Sequence, residues 1–265
     1  AEFKPVHVMQ LPNSASDDAS RALWRAEILR LQATLEQQFG RKISEHDLRA
    51  AIALKNQERE ALSSFYRLGQ LNPPALSGVE ILKVVYGATF KFDKNALIDE
   101  LNALTAKVRQ EYEQGKRLEP RPRILITGCP IGGAAEKVVR AIEENGGWVV
   151  GYENCTGAKA TEMQVNEEGD VYDALTDKYL AIGCSCISPN TQRLNLLSQM
   201  IDEYQADGVI DVILQACHTY AVESLAIKRH VRQQHDIPYM AIETDYSNSD
   251  IGQLNTRVSA FIEMM

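Results

Sequence analysis

The first part of the chain repeats apolar residues at helical spacing. Ile28, Leu31 and Leu35 lie three or four positions apart, and Gly40 follows this segment. Such spacing is typical of an amphipathic helix that ends at glycine, so a helix is predicted over 19–39. The same period predicts further helices over 45–68, 76–89 and 96–114. Residues 16–118 are therefore predicted to form a helical region.

The pattern changes after residue 119, where short apolar runs alternate with helical segments. Strands are predicted over 124–127, 148–152, 209–214 and 239–242, with helices over 134–145, 172–180, 191–204, 220–234 and 251–264. This alternation is typical of a parallel sheet with helical crossovers. The fold class is therefore α/β, in which the helical region precedes a parallel-sheet domain of the Rossmann or flavodoxin type over 119–265, with helices on both faces.

Residues 1–15 do not fit either region. Val6 and Val8 alternate with polar residues between Pro5 and Pro12, which predicts a short strand. A single strand is not stable without partners. We therefore expect residues 1–15 to be the residual strand of a missing N-terminal α/β domain.

Composition and charge exclude several classes of protein. The chain is 45% hydrophobic and 24% charged, which is typical of a globular protein. It contains neither a long apolar run nor a signal peptide, so we expect a cytoplasmic protein with no membrane segment. A net charge of −8 without a lysine or arginine cluster argues against a nucleic-acid partner. The class of function that remains is binding or conversion of a small molecule.

The five cysteines point to a site. Cys129, Cys155 and Cys217 each follow a predicted strand. The carboxyl ends of parallel strands line one crevice, so these thiols are expected to converge there. In a reducing compartment an odd number of cysteines favours metal ligands or reactive thiols over disulfides. Taken alone, each of these cysteines could instead be a small buried residue of the core.

Cys184 and Cys186 form a separate pair in the sequence. On an extended segment we expect the two side chains to point to opposite faces, one toward the crevice and the other toward the packed interior. A single metal atom would then not bind both. We assign Cys184 to the crevice. The predicted metal ligands are therefore Cys155, Cys184 and Cys217.

Further candidates flank these thiols. His218 and Glu223 follow Cys217 and could supply a proton or a hydrogen bond that supports a metal ligand. Alternatively, they could simply cap and stabilise the start of the helix. Gly128, Gly132 and Gly133 lie between a strand and a helix, where main-chain N–H groups could contact an anion. A tight structural turn is an equally good interpretation of these glycines. Their spacing matches no nucleotide-binding motif.

Four segments together resemble a known family. They are Gly128-Cys129-Pro130, Glu153-Asn154-Cys155-Thr156-Gly157, Gln215-Ala216-Cys217-His218-Thr219-Tyr220 and Ile242-Glu243-Thr244-Asp245-Tyr246. In this order they are similar to the 2-hydroxyacyl-CoA dehydratase D-component and benzoyl-CoA reductase subunit family, and nearest to its double-cubane-cluster branch. The chain resembles the C-terminal two thirds of such proteins.

The resemblance implies an iron–sulfur cluster, either 4Fe-4S or a double cubane. An ATP-hydrolysing activator protein would supply low-potential electrons for dehydration of a 2-hydroxyacyl-CoA or for reduction of a small substrate. Cys217 matches a ligand of the family, and Cys155 and Cys184 match further thiols of a double cubane. Cys129 matches no ligand. The family also implies a homodimer.

The chain departs from the family because no cysteine precedes Cys129. A cubane needs three or four protein thiolates, so a complete cluster is expected only in a full-length protein, and these residues alone would be inactive and could lack metal. Two other functions stay open. One is a metal-free thiol enzyme with Cys155 or Cys217 as nucleophile and His218 as base. The other is a two-lobed small-molecule-binding protein.

Overall fold

The computed structural model describes residues 5–129 and 132–265, so Pro130 and Ile131 of the predicted glycine-rich turn lie outside the described residues. The helices are α1 Asp18–Phe39, α2 Glu45–Tyr66, α3 Gly78–Ala88, α4 Lys94–Glu113, α5 Gly133–Glu144, α6 Ala158–Thr161, α7 Val171–Leu180, α8 Thr191–Glu203, α9 His218–Gln234 and α10 Ile251–Ile262. The strands are β1 Arg123–Gly128, β2 Trp148–Tyr152, β3 Gly208–Leu214 and β4 Tyr239–Thr244. A 3₁₀ turn, Arg67–Gln70, follows α2 directly.

The four strands form one parallel sheet in the order β2-β1-β3-β4. Alternate residues of β1 enter different cores: Ile124 and Ile126 pack with α5 and α10, whereas Leu125 packs with α8 and α9. Helices therefore cover both faces of the sheet. The predicted α/β fold class is confirmed, because buried parallel strands require a helical layer on each side.

The helical region packs directly on β2, the edge strand. A Cβ atom on Gly69 would lie 1.9 Å from the carbonyl oxygen of Val150, so this close approach requires glycine. Tyr152 donates its hydroxyl hydrogen to the carbonyl of Gly78 at 2.7 Å, and Phe65 is completely buried in the same core as Ile126. One hydrophobic core thus joins α2, α3 and α4 to the sheet.

Local sequence signals determine where the early helices begin. Ser44 caps α2, and its hydroxyl accepts a hydrogen bond from the Asp47 N–H while Asp47 accepts from the Ser44 N–H. Ser77 and Glu80 make the same reciprocal arrangement at α3. These capping boxes satisfy main-chain donors that a helix otherwise leaves free. They define the starts of both helices through contacts within four residues.

Residues 5–15 form no strand in the described part of the chain. The Gln10 N–H donates to Glu27 of α1 at 3.1 Å, and the Ser188 N–H donates to the carbonyl of Asn13 at 2.9 Å. The predicted strand is therefore wrong as secondary structure, since this segment bonds to a helix and a loop and not to a neighbouring strand. Its assignment to a separate domain stays a prediction. Within the described residues, no helix is both long and apolar enough to span a bilayer.

Candidate functional site

Three cysteines lie just beyond the carboxyl ends of adjacent strands. Cys129 directly follows β1, Cys155 follows β2 and Cys217 follows β3. In the sheet β1 lies between β2 and β3, so the loops that carry these thiols are neighbours. The sheet topology accounts for this convergence, because all four strands point the same way.

Tyr220 connects these loops. Its hydroxyl lies 3.6 Å from the sulfur of Cys155, and its ring packs with Cys129 and Cys217. Burial, with Cys155 as the next cause, raises the pKa of the Tyr220 hydroxyl far above its usual value. The hydroxyl therefore keeps its proton and can donate a hydrogen bond to the Cys155 sulfur.

Cys129 is buried and already has a hydrogen-bond donor. Its sulfur accepts from the Leu214 N–H at 3.0 Å, and only 6% of the residue is exposed. Burial raises the pKa of the Cys129 thiol to about 11, and the neighbouring Cys217 adds to the shift. Near neutral pH Cys129 is therefore a protonated thiol inside the packing, unlike the exposed Cys155.

The sulfur atoms of Cys184 and Cys186 lie 3.1 Å apart. The expectation that they would serve different surroundings is wrong, because this segment is a turn and not extended chain. The Ile187 N–H donates to the carbonyl of Cys184 at 3.1 Å, which closes the turn and brings both side chains to one side. Burial and the neighbouring Cys184 raise the pKa of the Cys186 thiol to about 11.

The Cys184–Cys186 turn contacts the start of α9. Ser185 donates its hydroxyl hydrogen to Thr219 at 3.1 Å, and the Thr219 hydroxyl lies 3.8 Å from the sulfur of Cys217. The structure therefore brings the predicted ligands Cys155, Cys184 and Cys217 to one rim, linked through Tyr220, Thr219 and Ser185. No sequence motif predicts Tyr220 or Thr219 as the connecting residues.

His218 and Glu223 line one cleft of about 710 Å³ together with Cys186. Their surroundings differ. His218 is the exposed first residue of α9, whereas Glu223 accepts hydrogen bonds from Arg193 at 2.5 Å and Asn190 at 2.7 Å. Glu223 is thus held in place by these hydrogen bonds. Both side chains line the cleft, and their catalytic roles stay predictions.

A buried charge network lies beneath this rim, and sequence reasoning missed it. Arg193 is completely buried and donates to Glu223 and, at 2.8 Å, to the hydroxyl of Thr127. Its guanidinium lies 3.5 Å from Glu153 and 3.8 Å from Asp211. Burial disfavours the charged guanidinium, but Glu153 and Asp211 outweigh this effect and raise the pKa of Arg193.

The network also supports Tyr220 from below. The Arg193 guanidinium lies 4.9 Å from the centre of the Tyr220 ring, and the Lys159 ammonium lies 5.5 Å from it. Lys159 is buried and pairs with Glu153 at 3.1 Å. Two cations that contact the ring fix Tyr220 and so the thiols around it.

Two sequence signals could have revealed the network. Asp211 interrupts the otherwise apolar strand β3, and Glu153 directly follows the buried strand β2. Burial raises the pKa of Asp211, although the nearby Arg193 opposes the shift. Charged residues in buried strands need partners. The partner Arg193, in contrast, lies on a helix whose sequence shows no reason for its burial.

The glycines behave differently from one another. Gly128 has φ +106°, and a Cβ atom there would lie 2.2 Å from the carbonyl oxygen of Val212. Gly128 is therefore required by backbone conformation and close packing. Gly132 and Gly133 lie at the start of α5, where a Cβ atom on Gly133 would meet open space and one on Gly132 would lie 3.8 Å from the Tyr246 ring. Anion contact at these glycines stays a prediction.

Comparison with known proteins identifies the family. The model of the family "2-hydroxyglutaryl-CoA dehydratase, D-component" matches residues 1–265. The chain belongs to this D-component family. The "Putative dehydratase subunit YjiM" of Escherichia coli (strain K12) is 81% identical over 265 residues, which is 100% of this chain and 69% of that protein.

More distant relatives of this D-component chain include both dehydratase and reductase subunits. The (R)-phenyllactyl-CoA dehydratase beta subunit of Clostridium sporogenes is 25% identical over 269 residues, 100% of this chain and 68% of that protein. A benzoyl-CoA reductase subunit of Thauera aromatica is 21% identical over 266 residues, 98% of this chain and 67% of that protein. The predicted family is confirmed.

The thiols of this D-component chain do not form a ready-made site for a single metal ion within the described residues. Among the described residues, no group of three or more His, Cys, Asp or Glu side chains is arranged to hold one metal ion. Cys155, Cys184 and Cys217 are all at least partly exposed at one rim. Their role as metal ligands stays a prediction.

Proposed function

We propose that this D-component chain is the carboxyl-terminal part of an iron–sulfur enzyme. The enzyme dehydrates a 2-hydroxyacyl-CoA or reduces a small substrate, with low-potential electrons from an ATP-hydrolysing activator protein. The observation that carries the proposal is the convergence of Cys155 and Cys217 around Tyr220, beside the Cys184–Cys186 turn that Ser185 joins to Thr219, above a buried charge network. A 4Fe-4S or double-cubane cluster held by these thiols would supply the electron.

The chain's own residues have defined tasks in this proposal. Tyr220 donates a hydrogen bond to the sulfur of Cys155, which holds that sulfur in place. Thr219 lies beside the sulfur of Cys217. Asn190 donates to the carbonyl of Cys184 at 2.9 Å and to Glu223, so the charge network holds the third ligand in place.

The cleft beside Cys186 is the proposed place for substrate. Leu194, Val222 and Ile227 give it an apolar wall, while His218 stands exposed at its edge. An apolar wall suits the acyl part of an acyl-CoA, and His218 is placed to hold or move a proton at the substrate. The Glu223 carboxylate orients Asn190 and Arg193. We also propose a homodimer.

A metal-free thiol enzyme is less well supported. Such an enzyme needs a base within hydrogen-bond reach of the nucleophile. The hydrogen bonds of the described residues join the Cys155 sulfur to Tyr220 and the Cys217 sulfur to Thr219, and none of them joins the His218 ring to a thiol.

Iron and sulfide determination after anaerobic reconstitution of the full-length protein that carries this chain tests the proposal. We expect a brown species that contains both elements, and Cys217→Ser should lose half or more of the iron. Cys129→Ser is the matched control, because this neighbouring thiol lies inside the packing and should leave the iron content unchanged. Circular dichroism checks that both variants fold. Equal iron in the unaltered chain and in Cys217→Ser would contradict the proposal.

A further inference from the structure

The sulfur atoms of Cys184 and Cys186 lie close enough to suggest a disulfide. They are 3.1 Å apart, and a disulfide bond needs about 2.05 Å. An approach of about 1 Å would therefore close the bond. The pair lies in a turn outside any helix or strand, so closure would break no regular secondary structure.

The surroundings of the pair admit a small reagent. Cys186 is exposed and lines the cleft of about 710 Å³, whereas Cys184 is only partly exposed behind it. The turn itself is anchored, because Asn190 donates to the carbonyl of Cys184 and Ser185 donates to Thr219. The two sulfurs therefore stay close together while one of them is open to solution.

We propose that Cys184 and Cys186 form a reversible dithiol–disulfide site that exchanges with low-molecular-weight disulfides when no metal is bound. This inference goes beyond the proposed function and does not depend on it. It assigns Cys186 as the first thiol to react, since it faces the cleft, and Cys184 as the resolving thiol.

The exchange is balanced in two steps. Cys186 attacks in its deprotonated form, which is the minor form near neutral pH because burial raises the pKa of this thiol to about 11. Its thiolate attacks one sulfur of the small disulfide, whose S–S bond breaks and releases the first small thiolate with the electron pair. The Cys184 thiolate then attacks the sulfur of Cys186 and displaces the second small thiolate. The two cysteine protons pass through water to the released thiolates. The chain loses two electrons and the small disulfide gains them.

The neighbouring thiols provide contrasts within the same molecule. Cys155 is also exposed, but its sulfur contacts the Tyr220 hydroxyl. Cys129 is buried against Leu214 and out of reach of a dissolved reagent. An exposed thiol with a resolving neighbour should close a ring, and Cys155 should keep the adduct.

The test treats the reduced, metal-free chain with glutathione disulfide in the absence of oxygen and maps each cysteine by mass spectrometry. We expect a peptide with Cys184 and Cys186 joined, and a glutathione adduct on Cys155. Because the second step is intramolecular, the adduct on Cys186 should be roughly ten-fold or more below the closed product. In Cys184→Ser the adduct on Cys186 should accumulate instead.

Cys155→Ser is the control variant, and it should close the ring to the same extent as the unaltered chain. A stable adduct on Cys186 in the unaltered chain, or a bridge from Cys186 to Cys217, would overturn the inference. These results come from the unaltered chain, so they do not depend on how Cys184→Ser folds. Since no iron is present, failure here leaves the iron–sulfur proposal to be decided by the iron determination.

Discussion

Arg193 is the residue on which the site's rigidity depends most. It is buried between Glu153, Asp211 and Glu223, and it lies against the Tyr220 ring. Removing one partner of a buried ion pair leaves the other charge without compensation. The network therefore couples the position of the thiols to the stability of the sheet's carboxyl edge.

Arg193→Met should lower the free energy of unfolding by about 3–5 kcal/mol, because Asp211 and Glu223 would lose the guanidinium beside them and Glu153 would be left with Lys159. Arg140→Met is the matched control, since Arg140 makes only an exposed pair with Glu136 on α5 and should cost about 0.5 kcal/mol or less. Urea unfolding of both variants measures the difference. Equal losses would show that the buried network contributes no more than a surface ion pair.

Gly128→Ala tests the backbone at the end of β1. The variant should lose about 3 kcal/mol or more, because alanine is strained at φ +106° and its Cβ would meet the Val212 carbonyl. Gly133→Ala has open space and should be neutral or slightly stabilising in α5. Thermal unfolding compares the two. A fully stable Gly128→Ala would show that this close approach is not needed.

At the scale of residues, the sequence predicted the thiols of the site but not the side chains that hold them in place. Cys155 and Cys217 could be assigned to one rim because each follows a strand and parallel strands end together. Tyr220 and Arg193 could not, since each sits on a helix and its burial depends on which side of the helix meets the loops. The Cys184–Cys186 error has a similar cause, because a turn does not follow the alternation of a strand.

At the scale of elements, α3 meets α5 through Glu143. The Gly78 N–H donates to the Glu143 carboxylate at 2.5 Å, which anchors the start of α3 on the α/β part of the fold. Burial raises the pKa of Glu143 from 4.5 to about 7, although the hydrogen bond from Gly78 favours the charged form. This contact therefore makes stability depend on pH.

The direction of this pH dependence follows from proton binding to Glu143. Between pH 4.5 and about 7 the folded chain keeps the Glu143 proton and the unfolded chain releases it, so the free energy of unfolding falls as pH rises. Relative to Glu143→Gln, the unaltered chain should lose about 3 kcal/mol across this window. Glu144→Gln, an exposed neighbour, should keep the original slope. Parallel pH profiles for the unaltered chain and Glu143→Gln would contradict this account.

Most elements could be predicted because their signals are local. The strand β2 has the predicted bounds, and the helix predicted from residue 45 begins there, with Ser44 as its cap. The short helix α6, in contrast, was missed. Its place depends on the close approach of Gly157 to Tyr152, where a Cβ atom would lie 2.0 Å from the carbonyl oxygen. A contact between two separate segments leaves no periodic pattern to find.

At the scale of the whole molecule, one parallel sheet brings together chemistry that is distant in the sequence. The order β2-β1-β3-β4 sets the loops of Cys155, Cys129 and Cys217 side by side, and helix packing adds the Cys184–Cys186 turn. The helical region covers the β2 edge of the sheet. The central claim of the proposed function is that thiols from these separate loops bind one cluster.

Residue-resolved thiol alkylation of the full-length protein, before and after anaerobic loading with iron and sulfide, tests this claim most directly. The account predicts that Cys155, Cys184 and Cys217 lose their reactivity together on loading and regain it together when a chelator removes the iron. Iron bound to the chain while these three thiols still react at their unloaded rates would contradict it.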